Sequence, residues 1–164
     1  MTLSRRLRTL AVALTLAFLA ATASLQAQAP PDFHVVAQGG AIDPDHPVQI
    51  VIVDSTGAGA FCEIEGPDRL TADCTTQVAL ALGAAELDSV WSAVQRFGFF
   101  GLDSTYLDTT FVGGSWAELE VTGAGQSHRV RTQNTGVAGV DSVMVALNEV
   151  LPAGNKIVYN EIVP

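Results

Sequence analysis

A chain of 164 residues with 48% hydrophobic and 15% charged residues has the length of one domain, and so few charges exclude a disordered polyelectrolyte. Its 8 Lys+Arg against 17 Asp+Glu give a net charge of −9, which excludes nucleic-acid binding and disfavours anionic membrane surfaces.

The N-terminus reads as an export signal. Arg5, Arg6 and Arg8 precede an apolar run from Leu10 to Ala20, and the small residues Ala21, Ala23, Ser24, Ala27 and Ala29 follow. A basic start, a short apolar stretch and small residues at its end are the pattern of a cleaved secretory signal, and the run is shorter than the about 20 residues of a bilayer span. The expected signal is residues 1–27. Ala27-Gln28-Ala29 has the small-x-small form, but a cut after Ala29 puts Pro30 beside the scissile bond, whereas cuts after Ala27 or Ala23 avoid it. No cysteine lies near the cut, which excludes lipid attachment of the bacterial lipoprotein kind. Cleavage removes three of the eight bases and no acid, leaving 17 acids against 5 bases, a net −12. Such a surface suits salty surroundings, where screening relieves its self-repulsion. The expected location is secreted or periplasmic, with no membrane partner after cleavage and no nucleic acid.

Residues 28–47 read as an N-terminal segment, partly loop, in which Phe33 to Gln38 makes a short strand. Residues 48–164 form the expected single domain. Val48 to Val53 is an almost wholly β-branched strand, Asp54-Ser55-Thr56-Gly57 a turn, and Ala58 to Glu65 the next strand. A turn at Gly66-Pro67-Asp68-Arg69 suggests a hairpin, and a pairing sum of 136 sets Cys62 opposite Cys74. Two cysteines in an exported chain then predict a disulfide.

Gly83 to Phe97 is the first helix: Leu87, Val90, Trp91, Val94 and Phe97 follow one stripe, Glu86 and Asp88 sit near the positive end, and Gly98 supplies the stop. Phe99-Phe100-Gly101-Leu102 and a loop to Gly114 follow. Ser115 to Thr122 and Gln126 to Thr132 make a second hairpin. Ala117, Leu119 and Val121 are odd-numbered and Val130 even-numbered, so a shared apolar face needs an odd pairing sum. With Ala124-Gly125 as the turn that sum is 249, which opposes Leu119 to Val130, Glu118 to Arg131 and Glu120 to Arg129. Val140, Val143, Met144, Leu147, Val150 and Leu151 mark a second helix, ended by Pro152 and Gly154, and Ile157 to Val163 a last strand. The expected class is α+β: an antiparallel sheet of two hairpins plus flanking strands, with two amphipathic helices packed on one face.

The residues point to no catalytic set. His34, His46 and His128 are far apart and only two cysteines are present, which argues against zinc. Asp103 and Asp108, like Asp43-Pro44-Asp45-His46, offer oxygen ligands but lack the spacing of a calcium loop; Asp103 and Asp108 are the weak metal candidates. Gly113-Gly114-Ser115-Trp116-Ala117 approaches a nucleophile elbow, yet Ser115 opens a hairpin. Glu118 and Glu120 share a strand face, as glycosidase carboxylates do, but their arginine partners suit a structural role. Gly57-Ala58-Gly59 and Gly123-Ala124-Gly125 join strands to strands, so they are turns rather than phosphate loops. Phe99, Phe100 and Tyr106 are candidates for a recognition patch, with core packing under a loop the favoured reading.

From Gly83 onwards the chain resembles a family of small secreted or lipoprotein-type bacterial domains of unknown function. The resemblance is carried by the helix from Glu86 to Phe97, Gly98-Phe99-Phe100-Gly101-Leu102, Tyr106, the hairpin ending in Arg129-Val130-Arg131, and the second helix. It implies the fold and an envelope location, and carries no activity or catalytic residues with it. The expected function is therefore an exported, non-enzymatic domain that binds or supports another envelope or extracellular protein. It requires no cofactor, and its contact surfaces would be the loop from Leu102 to Gly114 and the segment before Val48. The alternative is a calcium-dependent module or small hydrolase using Asp103 and Asp108.

Overall fold

The computed structural model describes residues 28–43, 45–65, 76–110 and 113–159. Among these residues the chain is α+β, with a mixed, mostly antiparallel sheet of seven strands and two helices. The strands are β1 (His34–Ala41), β2 (Val48–Asp54), β3 (Ala58–Ile64), β4 (Thr76–Ala81), β5 (Thr105–Leu107), β6 (Ser115–Gly123) and β7 (Gln126–Gln133). The helices are α1 (Ala84–Arg96) and α2 (Ala138–Val150), and Phe99–Gly101 forms a 3-10 turn.

The sheet order is β4-β3-β2-β1-β6-β7-β5. The N-terminal segment therefore supplies a central strand, since β1 pairs antiparallel with β2 (Val36↔Ile52) and with β6 (Val36↔Glu120). Instead of two separate hairpins with flanking strands, a meander from β1 to β4 is joined at β1 to the β6–β7 hairpin. The hairpin has the expected register, with Leu119↔Val130, Glu118↔Arg131 and Glu120↔Arg129. Ala124 and Gly125 at its turn both have positive φ, 53° and 73°, the two-residue turn that matches strand twist. Within the expected loop from Leu102 to Gly114, β5 is a three-residue edge strand parallel to β7. So short a segment has no periodicity of its own to announce it.

β3 and β4 pair with a sum of 139, so Cys62 lies opposite Gln77 rather than Cys74. The strand returning to β3 begins at Thr76, beyond the segment the expected hairpin used; Cys74 and the Gly66–Arg69 turn lie outside the described residues. The expected last strand is absent over residues 157–159, and the rest of it lies outside the described residues. Asn148 on α2 takes the place of a neighbouring strand: its Oδ1 accepts the Ile157 N–H at 2.9 Å and its Nδ2 donates to the Ile157 carbonyl at 3.0 Å. The Gln49 side chain, 6% exposed, accepts the Val158 N–H at 3.3 Å.

Val35, Ala37, Val51, Val53, Phe61, Leu80, Leu119, Val121 and Val130 share one cluster with Leu87, Val90, Trp91 and Val94 of α1 and Val140, Val143, Met144 and Leu147 of α2. The pleat sends alternate residues to opposite faces, and these sheet positions all belong to one parity set. Phe97 leaves the expected helical stripe: it is the C-cap of α1, 42% exposed, with the Arg96 guanidinium 5.7 Å from its ring centroid. Gly98 follows at φ +62° and ends the helix as expected. In the Asp54–Gly57 turn, Asp54 Oδ1 accepts the Thr56 N–H at 2.8 Å. Gly57 has φ +82°, and a Cβ there would stand 2.0 Å from the Leu82 carbonyl oxygen.

Candidate functional site on the Ile52 face of the sheet

The parity set left out of the core forms two rows across the sheet. The pairings line up Arg129, Glu120, Val36, Ile52, Ala60 and Ala79 over six strands. They also line up Arg131, Glu118, Gln38, Ile50, Cys62 and Gln77, with Thr105 of β5 beside Arg131. The sequence thus divides this face. β6 and β7 alternate apolar with charged residues and place their charges here, while β2 is β-branched on both parities and leaves Ile50 and Ile52 outside the core. Ile52 is 42% exposed, with Val36, Ile50 and Ala60 partly exposed around it.

The charged half is internally neutralised. Arg129 Nε donates to Glu120 Oε2 at 2.8 Å, a second guanidinium nitrogen reaches the same oxygen, and Nη1 lies 3.7 Å from Glu118 Oε1. The Glu120 hydrogen bond, and then the charges of Glu120 and Glu118, raise the Arg129 pKa further. Gln38 Nε2 donates to Glu118 Oε1 at 3.0 Å. Arg131 sits 5.9 Å from the Trp116 ring centroid instead of pairing with Glu118, so one arginine serves both glutamates. A cleft of about 550 Å³ opens here, lined among others by Ser104, Thr105, Glu118, Glu120, Arg129 and Arg131. Exposed pairs of this kind add little stability.

The structure places the other candidates elsewhere. Phe99 is fully buried, with T-shaped contacts to Phe100 at 6.0 Å and to His128 at 5.7 Å, and Phe100 meets Trp91 at 6.1 Å. Phe100 and Tyr106 pack against the same core, which matches the favoured reading. The Tyr106 hydroxyl accepts the Asp103 N–H at 2.9 Å and so ties the loop to β5. Asp108 Oδ1 accepts the Thr110 N–H at 2.9 Å, and the Thr110 hydroxyl, then its N–H, lower the Asp108 pKa. The Asp108 carboxylate is thus occupied by local turn geometry, whereas Asp103 makes its contact through the backbone N–H. Among the described residues no group of three His, Cys, Asp or Glu side chains is placed to hold a metal ion. Ser115 begins β6, its N–H on Asn134 Oδ1 at 3.1 Å. His128 Nε2 lies 2.9 Å from the Leu102 carbonyl, which makes that nitrogen the protonated one. Asp43 Oδ1 accepts the Asp45 N–H, a turn within its own loop.

Residues that sequence reasoning missed do the tying. Asn134, at φ 54°, bonds Ser115 and the Gly113 carbonyl. Its only signal was a residue type that tolerates left-handed backbone. Asp32 accepts the Ala124 and Gly125 N–H groups of the β6–β7 turn at 2.9 and 2.7 Å, and these bonds, the Gly125 bond foremost, lower its pKa.

The class this fold defines is an α+β domain whose sheet carries an amphipathic face made of the residues left out of the core. No family model and no curated protein matches the sequence. The resemblance drawn from Gly83 onwards therefore rests on the quoted residues alone. No helix among the described residues is long and apolar enough to cross a membrane.

Proposed function

We propose that the protein is an exported, non-enzymatic domain that binds or supports another envelope or extracellular protein, and that the Ile52 face is its contact surface. Both helices cover the core face, and residues 1–27 are the signal that is removed. The observation that carries this reading is the row Val36, Ile52, Ala60 and Ala79, continuous with the clamped Glu120–Arg129 pair. An apolar strip edged by fixed polar groups is the anatomy of a protein contact: the apolar part drives association, and the rim sets orientation. At the cleft, the His128 ring is engaged by the Leu102 carbonyl and the Phe99 ring, and Glu118 and Glu120 are engaged by Arg129. A disulfide between Cys62 and Cys74 would brace this same face.

The test pairs tagged protein with its Ile52→Glu variant, captured from the native host at its own salt concentration and followed by cross-linking. A stoichiometric partner that cross-links to β1–β3 and is lost with Ile52→Glu, while the melting curve is unchanged, supports the reading. A partner retained by the variant moves the surface elsewhere, and a partnerless protein refutes the binding function.

A further inference from the structure

The first described residues are fastened to the domain. Ala29 packs against the core, and its N–H donates to Asp88 Oδ1 on α1 at 2.8 Å. The Pro30 carbonyl accepts the Phe33 N–H at 2.9 Å, and Pro30 lies over Gly123, where an added Cβ would be 3.2 Å from its ring. Asp32 holds the β6–β7 turn, and Phe33, 1% exposed, meets Trp91 edge-on at 5.6 Å. Residues 29–33 are therefore a clasp across α1 and the hairpin, while Gln28 is exposed.

We infer that the peptide bond between Ala27 and Gln28 is the processing site, and that Asp88 is the receptor for the new N-terminus. The inference rests on the export reading. Hydrolysis adds water across that bond, leaving a carboxylate on Ala27 and an α-ammonium on Gln28. Adjacent backbone nitrogens lie no more than about 3.7 Å apart, as bond lengths dictate. The ammonium thus emerges one residue from an N–H that Asp88 already holds, and the second Asp88 oxygen accepts it. Cutting after Ala29 instead would remove the residue that Asp88 binds. Asp32, the acid within the clasp itself, has both carboxylate oxygens committed to the turn. Processing then strengthens the clasp: an amide nitrogen carrying no charge becomes a cation beside a carboxylate.

The experiment is a cycle on protein purified after export of the full-length chain. The α-amine is left free or acetylated selectively at mildly acidic pH, with Asp88 intact or replaced as Asp88→Asn, which still accepts the Ala29 N–H. Acetylation is expected to lower the melting midpoint by about 2–4 °C with Asp88 and to leave the Asp88→Asn midpoint unchanged, and the intact mass is expected to begin at Gln28. Equal acetylation effects with and without Asp88, a start at Ser24 or Pro30, or a Gln28 cyclised with loss of ammonia would overturn the proposal. A chain still beginning at Met1 refutes export processing itself, a separate failure; a chain freed at Gln28 by a specific protease then decides the Asp88 contact by the same cycle.

Discussion

Phe99 and Phe97 are aromatic neighbours in sequence with opposite fates, and truncating each separates core from surface. Phe99 is fully buried and makes two edge-to-face contacts, so Phe99→Ala leaves a cavity bordered by Phe100 and His128. Core Phe→Ala changes cost about 3–5 kcal/mol, and the lost ring contacts place this one near the middle or above. Against a total stability of about 5–15 kcal/mol that is a large share. At a urea slope of about 2 kcal/mol per molar, a loss of about 4 kcal/mol moves the unfolding midpoint down by roughly 2 M. Phe97, 42% exposed, loses only a surface contact and the stacking of Arg96, so Phe97→Ala costs under about 1 kcal/mol. The assay is urea unfolding followed by far-UV circular dichroism for both variants. Comparable losses, or a Phe99→Ala loss below about 1 kcal/mol, would refute the core assignment and return Phe99 to the surface as a recognition residue.

Gly57→Ala is expected to destabilise by more than about 2 kcal/mol, because positive φ and the Leu82 carbonyl both oppose a side chain, whereas Gly98→Ala meets open space and costs about 1 kcal/mol. Equal midpoints in the same titration would show that the Leu82 contact relaxes freely. The folded pKa of Asp32 lies below its unfolded value of about 3.9, so its contribution is present above that pH and is lost as pH falls through the folded pKa. Asp32→Asn should therefore melt earlier than wild type at pH 7, with the gap closing below about pH 4; a gap that persists in acid contradicts the charge-assisted turn. Thiol alkylation of unreduced, unfolded protein should find no free thiol if Cys62 and Cys74 are joined, and reduction should cost about 3 kcal/mol. Two alkylated cysteines would remove the disulfide.

Local features were legible in the sequence. The parity of Leu119 and Val130 is enough to set the β6–β7 register, because one face has to be buried and a two-residue turn leaves a single sum. The Leu87–Val94 stripe gave α1 for the same kind of reason. What failed depended on distant partners. Nothing in His34–Ala41 says that it pairs with residues some 80 positions later, so a central strand read as a short one in a loose segment. The β3–β4 sum was set from a Gly-Pro turn that did not fix where the return strand begins. Of the Ile52 face, the charged half was visible in the register of Glu118 with Arg131 and Glu120 with Arg129, but not in the ion pairs, where Arg129 takes both glutamates. The apolar half was hidden because a β-branched run such as Val48–Val53 does not reveal which of its residues stay outside the core.

The central position of β1 also sets the order in which the molecule can be completed. A chain that emerges N-terminus first presents β1 to β4 as a contiguous meander, but β1 then carries a bare edge until Ser115–Gly123 arrives. Such an edge is a template for any other extended strand, and closing it requires a long loop whose ordering entropy must be overcome first. The half-made sheet is thus both slow to close and open to wrong partners. Gly39 and Gly40, which lie in the strand without side chains, lower its propensity to recruit them. A sheet that cannot seal until Ser115–Gly123 is available thus has the moment of its completion written into strand order.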